Sequence, residues 1–274
     1  MNKRIKLSGN QAEIHPYFII VGTGGTGGYV AQQVAQLVSV YGKGSIILAD
    51  ADVVEEKNLK NQLFVKSDIG FKKASILAER YSAAYEIPIG YYTDNYIESI
   101  EDLEKLVSGD YLGIGYYKRF CPILIGCVDN KYSRRIFHEY FMRKSSLIYI
   151  DVGNESAKVP KDFIDRSMSE WSKEEVSQFH NSGFTGQAVV GVKIDDNTIY
   201  EPVASIFPDI FEGDELAPSA LSCSELAASA PQKLITNRYA AMCVNTIVNE
   251  ILSTDTISIH KMAFHAQKGI ISSQ

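Results

Sequence analysis

The residues able to do chemistry fall in four short clusters, the first a run of glycines. Gly22, Gly24 and Gly27 keep the spacing G-x-G-x-x-G, and Gly25 and Gly28 add two more positions without a Cβ. This GTGGTGG stretch stands between an apolar run at 18–21 and a segment of helical periodicity. Closely approachable N–H groups at the start of a helix are what a phosphate needs, so the loop predicts a phosphate-binding turn. The second cluster is Asp50 and Asp52, closing the apolar run 45–49. Asp50 stands where a carboxylate accepts bonds from ribose hydroxyls; Asp52 is either a companion ligand or a solvated loop residue. The third is Asn58, Gln62 and Lys73, the lysine following Gly70 at a helix start, where it would neutralise phosphate oxygens. The fourth is Asp129, ending the buried apolar run 122–128. A carboxylate facing a polyphosphate is repelled unless a cation lies between them, so its position implies magnesium. Together these residues could assemble a magnesium–ATP site. The glycine loop and Asp50 alone suit a nicotinamide dinucleotide equally well, and Lys72 with Lys73 alone reads as a solvated helix face. Hydride transfer, however, needs neither the lysine nor the second carboxylate.

Such clusters work only if the fold brings them to one edge. Apolar runs at 18–21, 45–49, 87–92, 122–128 and 147–150 alternate with helical patterns over 30–41, 73–85, 96–107 and 131–144. Near-continuous apolar strands separated by helices predict a parallel sheet covered on both faces, so the first 155 residues read as a Rossmann-type, doubly wound α/β unit. Beyond them, 187–194 and 198–206 alternate around a turn at 195–197, predicting an antiparallel hairpin. An acidic, proline-containing loop at 208–222, a long helix over 232–252 and a returning strand over 257–271 complete the pattern. The second half is expected to extend the same, mainly parallel sheet with antiparallel strands, so that 1–274 is a single domain.

Composition narrows the partners. With 27 basic against 33 acidic residues the net charge is −6, the wrong sign for a general nucleic-acid coat or an anionic-membrane binder. No stretch is apolar for the ~18–20 residues that span a bilayer, and residues 1–18 lack the apolar segment of a secretory signal. Four scattered cysteines, at 121, 127, 223 and 243, form neither a disulfide framework nor a C-x-x-C zinc motif. A cytoplasmic protein with reduced thiols is expected. The five histidines show no metal-ligand spacing, and Trp171 reads as the packing anchor of an amphipathic stretch, or as part of a lid or partner-docking helix.

GTGGTGG, ILADADVVEEKNLKNQLF, DIGFKKA and ILIGCVDN resemble the ubiquitin-activating superfamily in its small bacterial form, the ThiF, MoeB and HesA group of adenylyltransferases. DVGNE, TGQAVVGV and SCSELA more narrowly resemble the ThiF-type protein of the PRTRC systems of mobile elements. The resemblance covers residues 15–252 and is strongest over the first 155. It implies that a carboxylate, usually the C-terminal glycine of a ubiquitin-like or sulfur-carrier protein, attacks the ATP α-phosphate to give an acyl-adenylate and pyrophosphate. It also implies a homodimer, with 1–155 as the nucleotide-binding half and 156–274 as the acceptor-binding and dimerisation half. Residue by residue, it makes Gly24, Gly25 and Gly27 the phosphate loop, Asp50 the ribose ligand, and Asn58 and Gln62 the triphosphate lining. Lys73 would bind phosphate and Asp129 would hold magnesium.

Three departures stand out. The family's N-L-x-R-Q motif reads NLKNQ here, with Asn61 in the arginine slot and Lys60 or Lys66 as the candidate compensating cations. The paired zinc cysteines are missing, and Arg4 is the sole candidate for the arginine that relatives lend to a partner subunit. Cys223, in ALSCSELAASA, has a double reading: an acyl-carrying thiol at a helix start, or a compact packing residue.

Overall fold

The computed structural model describes residues 4–9, 13–107, 118–213, 215–220 and 231–274. Its centre is a parallel ribbon of β2 (Glu13–Val21), β3 (Ser45–Ala49), β4 (Ile89–Tyr92), β5 (Lys118–Gly126) and β6 (Leu147–Asn154), in the order β4-β3-β2-β5-β6. The alternation of side chains explains why these strands are apolar throughout. In β2, Phe18 and Ile20 enter one core while Tyr17, Ile19 and Val21 enter the other, so neither face is left to water. On the first face lie α1 (Gly25–Tyr41), with Val30, Val34 and Val38, and α2 (Lys73–Tyr85), with Leu77 and Tyr81. The second face is covered by α3 (Ile100–Leu106) and α4 (Lys131–Arg143), the latter through Phe137, Tyr140 and Phe141.

Antiparallel strands continue this sheet as expected. β7 (Thr185–Ile194) runs along β6 from Lys193 opposite Leu147 to Gly186 opposite Asn154. One edge of β7 is then shared by β8 (Asn197–Tyr200) and β10 (Lys261–His265). A short pairing of β1 (Ile5–Lys6) with β9 (Thr256–Ile257) lies apart from the main sheet. Helix α5 (Lys173–His180) is capped by Ser172, and Trp171 meets Phe179 edge to face at 5.7 Å. The long helix α7 (Leu234–Thr254) lies against α1 and fills the first core with Val244, Ile247, Val248 and Ile251. Among the described residues no helix is long and apolar enough to cross a membrane.

Element bounds differ from expectation in several places, and three of the differences have a plain local reason. The strand expected over 198–206 stops at Tyr200; Pro202 offers no N–H to a ladder and instead starts the helical turn α6 (Val203–Ile206). The strand expected over 257–271 divides into β9, β10 and β11 (Ile270–Ser273), because Gly269, at φ +67°, folds β11 back onto β10. The helix expected from 96 begins at Ile100, where the Ser99 hydroxyl accepts from the Asp102 N–H at 3.2 Å.

Candidate active site

The strand order reverses between β3 and β5, on either side of β2, and the carboxyl ends of these three strands border a cavity of about 600 Å³. Gly22 leaves β2 at φ +87°, and a Cβ there would meet the Cys127 carbonyl oxygen at 2.7 Å. At Gly27 a Cβ would stand 1.8 Å from the Gly22 carbonyl oxygen. These two glycines serve the fold. Gly24 does not: the nearest atom to a Cβ there is Gln62 Nε2 at 3.6 Å, an ordinary contact. Gly24 precedes α1 with no side-chain cap and no acidic residue in the first turn, so uncapped N–H groups and the positive helix end face the cavity. Gly27→Ala is accordingly expected to cost about 3 kcal/mol or more in urea unfolding. Gly24→Ala should change stability by less than about 1 kcal/mol while crowding the helix end where an anion would sit.

The cavity is lined by Gly22, Gly24, Gly25, Asp50, Asp52, Asn58, Gln62, Lys73 and Asp129. Gly27 lies beneath it, and Cys223 is outside the described residues. Asp50 is half-buried and holds the glycine loop: its Oδ2 accepts from the Thr23 N–H (2.7 Å) and hydroxyl (2.8 Å), its Oδ1 from the Asp52 N–H (2.9 Å). Of the roughly four lone-pair sites of a carboxylate, one on Oδ1 is left to face the cavity. Loss of hydration pushes the Asp50 carboxyl above its usual range; Lys73 offsets part of that shift and Asp52 adds to it.

Lys73 is buried, and its ammonium donates to Asp52 Oδ2 at 2.7 Å, while the Tyr96 hydroxyl donates to Asp52 Oδ1 at 2.5 Å. Burial works to raise the Asp52 carboxyl, but the Lys73 charge and the two hydrogen bonds outweigh it and hold the group below its ordinary 3.8. Because the folded value is the lower one, this contribution to stability is present above pH 3.8 and is lost as pH falls through the folded value. Asp50, raised on folding, has the opposite sign and does not share that acid loss. The stability advantage of the native protein over Asp52→Asn is therefore expected to shrink in urea unfolding below pH 3.8, and an advantage independent of pH would contradict the pairing.

Asp129, on the opposite wall, is exposed and makes no hydrogen bond or ion pair among the described residues. Around the cavity several buried amide atoms also lack partners among the described residues: Asn61 Oδ1, Gln62 Oε1, Asn154 Oδ1 and Asn237 Nδ2. Unpartnered buried polar atoms are costly, and their convergence on one space suits a polar ligand.

A model of the ThiF family matches residues 4–190. The chain belongs to the ThiF family. Among solved structures, this ThiF-family chain is similar to E. coli MccB with succinimide (17% identity, TM-score 0.57, covering 95% of this chain and 63% of that one). It is similar to E. coli MccB with ATP (18%, 0.54, 95% and 63%) and to PaaA (16%, 0.55, 94% and 63%). At these identities the likeness shows the fold, and the chain spans less than two thirds of the length of these relatives. No curated protein matches it.

In this ThiF-family chain Asn61 faces the cavity, whereas Lys60 and Lys66, the expected compensating cations, are exposed and do not line it. The 3-10 turn Glu56–Lys60 explains this: Asn58 turns inward, its Oδ1 accepting from the Glu55 N–H at 2.8 Å, and Lys60 is carried outward. The cation that does reach the wall is Lys57, paired with Glu55 at 2.8 Å. Arg134 also lines the cavity, bound to Asp151 at 3.2 Å and to the Val128 and Val152 carbonyls. Arg4 is exposed and does not line this cavity. Cys121 and Cys243 are buried, and burial pushes their thiols up to about 12 and about 11. Cys127 borders the cavity, but burial raises its thiol as well, so none of the three is an activated nucleophile. Sequence reasoning missed Lys57, Tyr96, Arg134, Asn154 and Asn237. Asn154 ends a strand and obeyed the rule that picked out Asp50 and Asp129; Asn237 lies within a helix and carried no such signal.

Proposed function

We propose that this ThiF-family chain is an ATP-dependent adenylyltransferase acting on a peptide or protein carboxylate, with the C-terminus of a ubiquitin-like or sulfur-carrier protein as acceptor. The observation that carries the reading is the meeting of an uncapped helix end, a buried ammonium at Lys73 and, at Asp129, a carboxylate unpaired among the described residues, around one cavity. MccB, a structural neighbour, has been crystallised with ATP and with AMPCPP and MccA. Asp50 would take a ribose hydroxyl on its remaining lone pair, Asn58 and Gln62 would line the phosphates, and Lys73 would turn from Asp52 toward them.

Magnesium commonly takes one or two protein carboxylates and completes its shell with phosphate oxygens and water. Asp129, a cavity-wall carboxylate with no hydrogen bond or ion pair among the described residues, fits that role, and bound magnesium would offset phosphate charge. Among the described residues no cluster of three or more His, Cys, Asp or Glu could hold a metal without such help. The acceptor carboxylate is already ionised, so its attack on the α-phosphorus, with cleavage of the bond to the departing pyrophosphate, needs no general base. The protein's part is positioning and charge compensation. Cys223 remains our candidate for a later acyl-transfer step, and we place the enzyme in the cytoplasm as a homodimer.

Asn61 favours one second reading, a relative that binds nucleotide without turnover, since a neutral amide does not replace a guanidinium fork on phosphate. ATP–pyrophosphate exchange with candidate acceptor proteins separates the two. Acceptor-dependent exchange supports the enzyme; ATP binding without exchange supports the binding protein. Tight NADH binding without ATP competition would instead point to an oxidoreductase and overturn both.

A further inference from the structure

Thr26 in the first turn of α1, Asn154 at the end of β6 and Asn237 in the first turns of α7 form one polar network. Asn154 Nδ2 donates to the Thr26 hydroxyl at 2.9 Å and to Asn237 Oδ1 at 2.8 Å, and the Thr26 hydroxyl donates to the same Oδ1 at 3.2 Å. Oδ1 of Asn237 takes both donors, and turning this amide alone would set Nδ2 against Asn154 Nδ2. Its Nδ2 therefore points at the glycine loop, where a Cβ on Gly25 would meet it at 2.4 Å. Asn237 is 1% exposed and lines the cavity, and its Nδ2 has no partner among the described residues. A buried donor held in place without an acceptor is unfavourable unless a ligand supplies one.

We infer that Asn237 Nδ2 donates to a phosphate oxygen of the nucleotide, so that the phosphate site extends from the glycine loop to the C-terminal helix α7. The inference rests on the nucleotide reading above. Phosphate is the class of ligand that fits because Nδ2 lies beside Gly25, at the uncapped start of a seventeen-residue helix whose end favours anions. Asn154 is then a positioning residue: it touches Asn237 and holds the amide in its donating orientation. The arrangement also accounts for Gly25, because any side chain there would fill the space that the amide occupies.

The test is calorimetric titration of the whole protein with magnesium–ATP, inorganic tripolyphosphate and adenosine, in native, Asn237→Ala and Asn237→Asp forms, with circular dichroism to confirm folding. Both variants are expected to bind ATP and tripolyphosphate about tenfold more weakly or worse, as for a lost hydrogen bond to a charged group, and adenosine within about twofold of native. Should the buried carboxylate of Asn237→Asp prevent folding, Asn237→Ala carries the comparison alone. Unchanged ATP affinity in folded Asn237→Ala, or equal weakening of ATP and adenosine, overturns the contact and leaves the nucleotide reading standing. A native protein that binds tripolyphosphate through Asn237 but neither ATP nor adenosine overturns the nucleotide reading and keeps the phosphate contact. Native protein that binds none of the three overturns both.

Discussion

Lys73→Met is expected to abolish acceptor-dependent ATP–pyrophosphate exchange, by about 100-fold or more, and to weaken ATP binding. The ammonium is the buried cation of the cavity, with its side chain 8% exposed, and it is the charge that partly offsets the raised Asp50 and holds Asp52 low. Without it Asp50, Asp52 and Asp129 all face the same space, and a polyanion entering there meets net repulsion. Stability should also fall. Removing one partner of a fully buried pair costs about 3–5 kcal/mol, but the Asp52 side chain is 39% exposed, so roughly 1–3 kcal/mol is the expected loss. The double variant Lys73→Met with Asp52→Asn separates the two consequences. It should regain most of the lost stability, because no unpaired charge is left behind, and regain none of the exchange. Exchange at the native rate in the single variant would remove Lys73 from the chemistry.

Asp129→Asn should show the reverse pattern. The side chain is exposed and unpaired among the described residues, so the unfolding free energy is expected to stay within about 0.5 kcal/mol of native. Exchange should drop by about 100-fold or more, and the magnesium concentration giving half the maximal rate should rise, since asparagine keeps the shape but loses the charge that attracts the ion. Native exchange with native magnesium dependence would leave the cavity without its metal-holding residue. One lysine that matters to fold and function alike, and one aspartate that matters to function alone, are a sharper test of the site than either variant separately.

How much of this was legible beforehand follows from the range of the interactions. Strand ends, the glycine turn and the helix beginning at Lys73 are set by short-range periodicity and by residues that neighbour one another in the chain, so Asp50, Lys73 and Asp129 could be placed on one sheet edge without coordinates. The burial of Lys73 could not: a lysine beside Lys72 at a helix start fits a solvated face, and only the loop returning Asp52 to within 2.7 Å makes it an ion pair. Lys57 in place of Lys60 depended on a single 3-10 turn rotating side chains inward or outward. The linear order of residues by itself determined the sheet, its covering helices and the edge on which the cavity lies, because periodic burial and glycine geometry act locally. Tertiary structure alone decided the amide network: Thr26 lies 128 residues from Asn154 and 211 from Asn237, and only the docking of α7 across the start of α1 brings them within hydrogen-bond reach. Hydrogen bonds act over about 3 Å, so no spacing in the chain encodes which buried amides will meet.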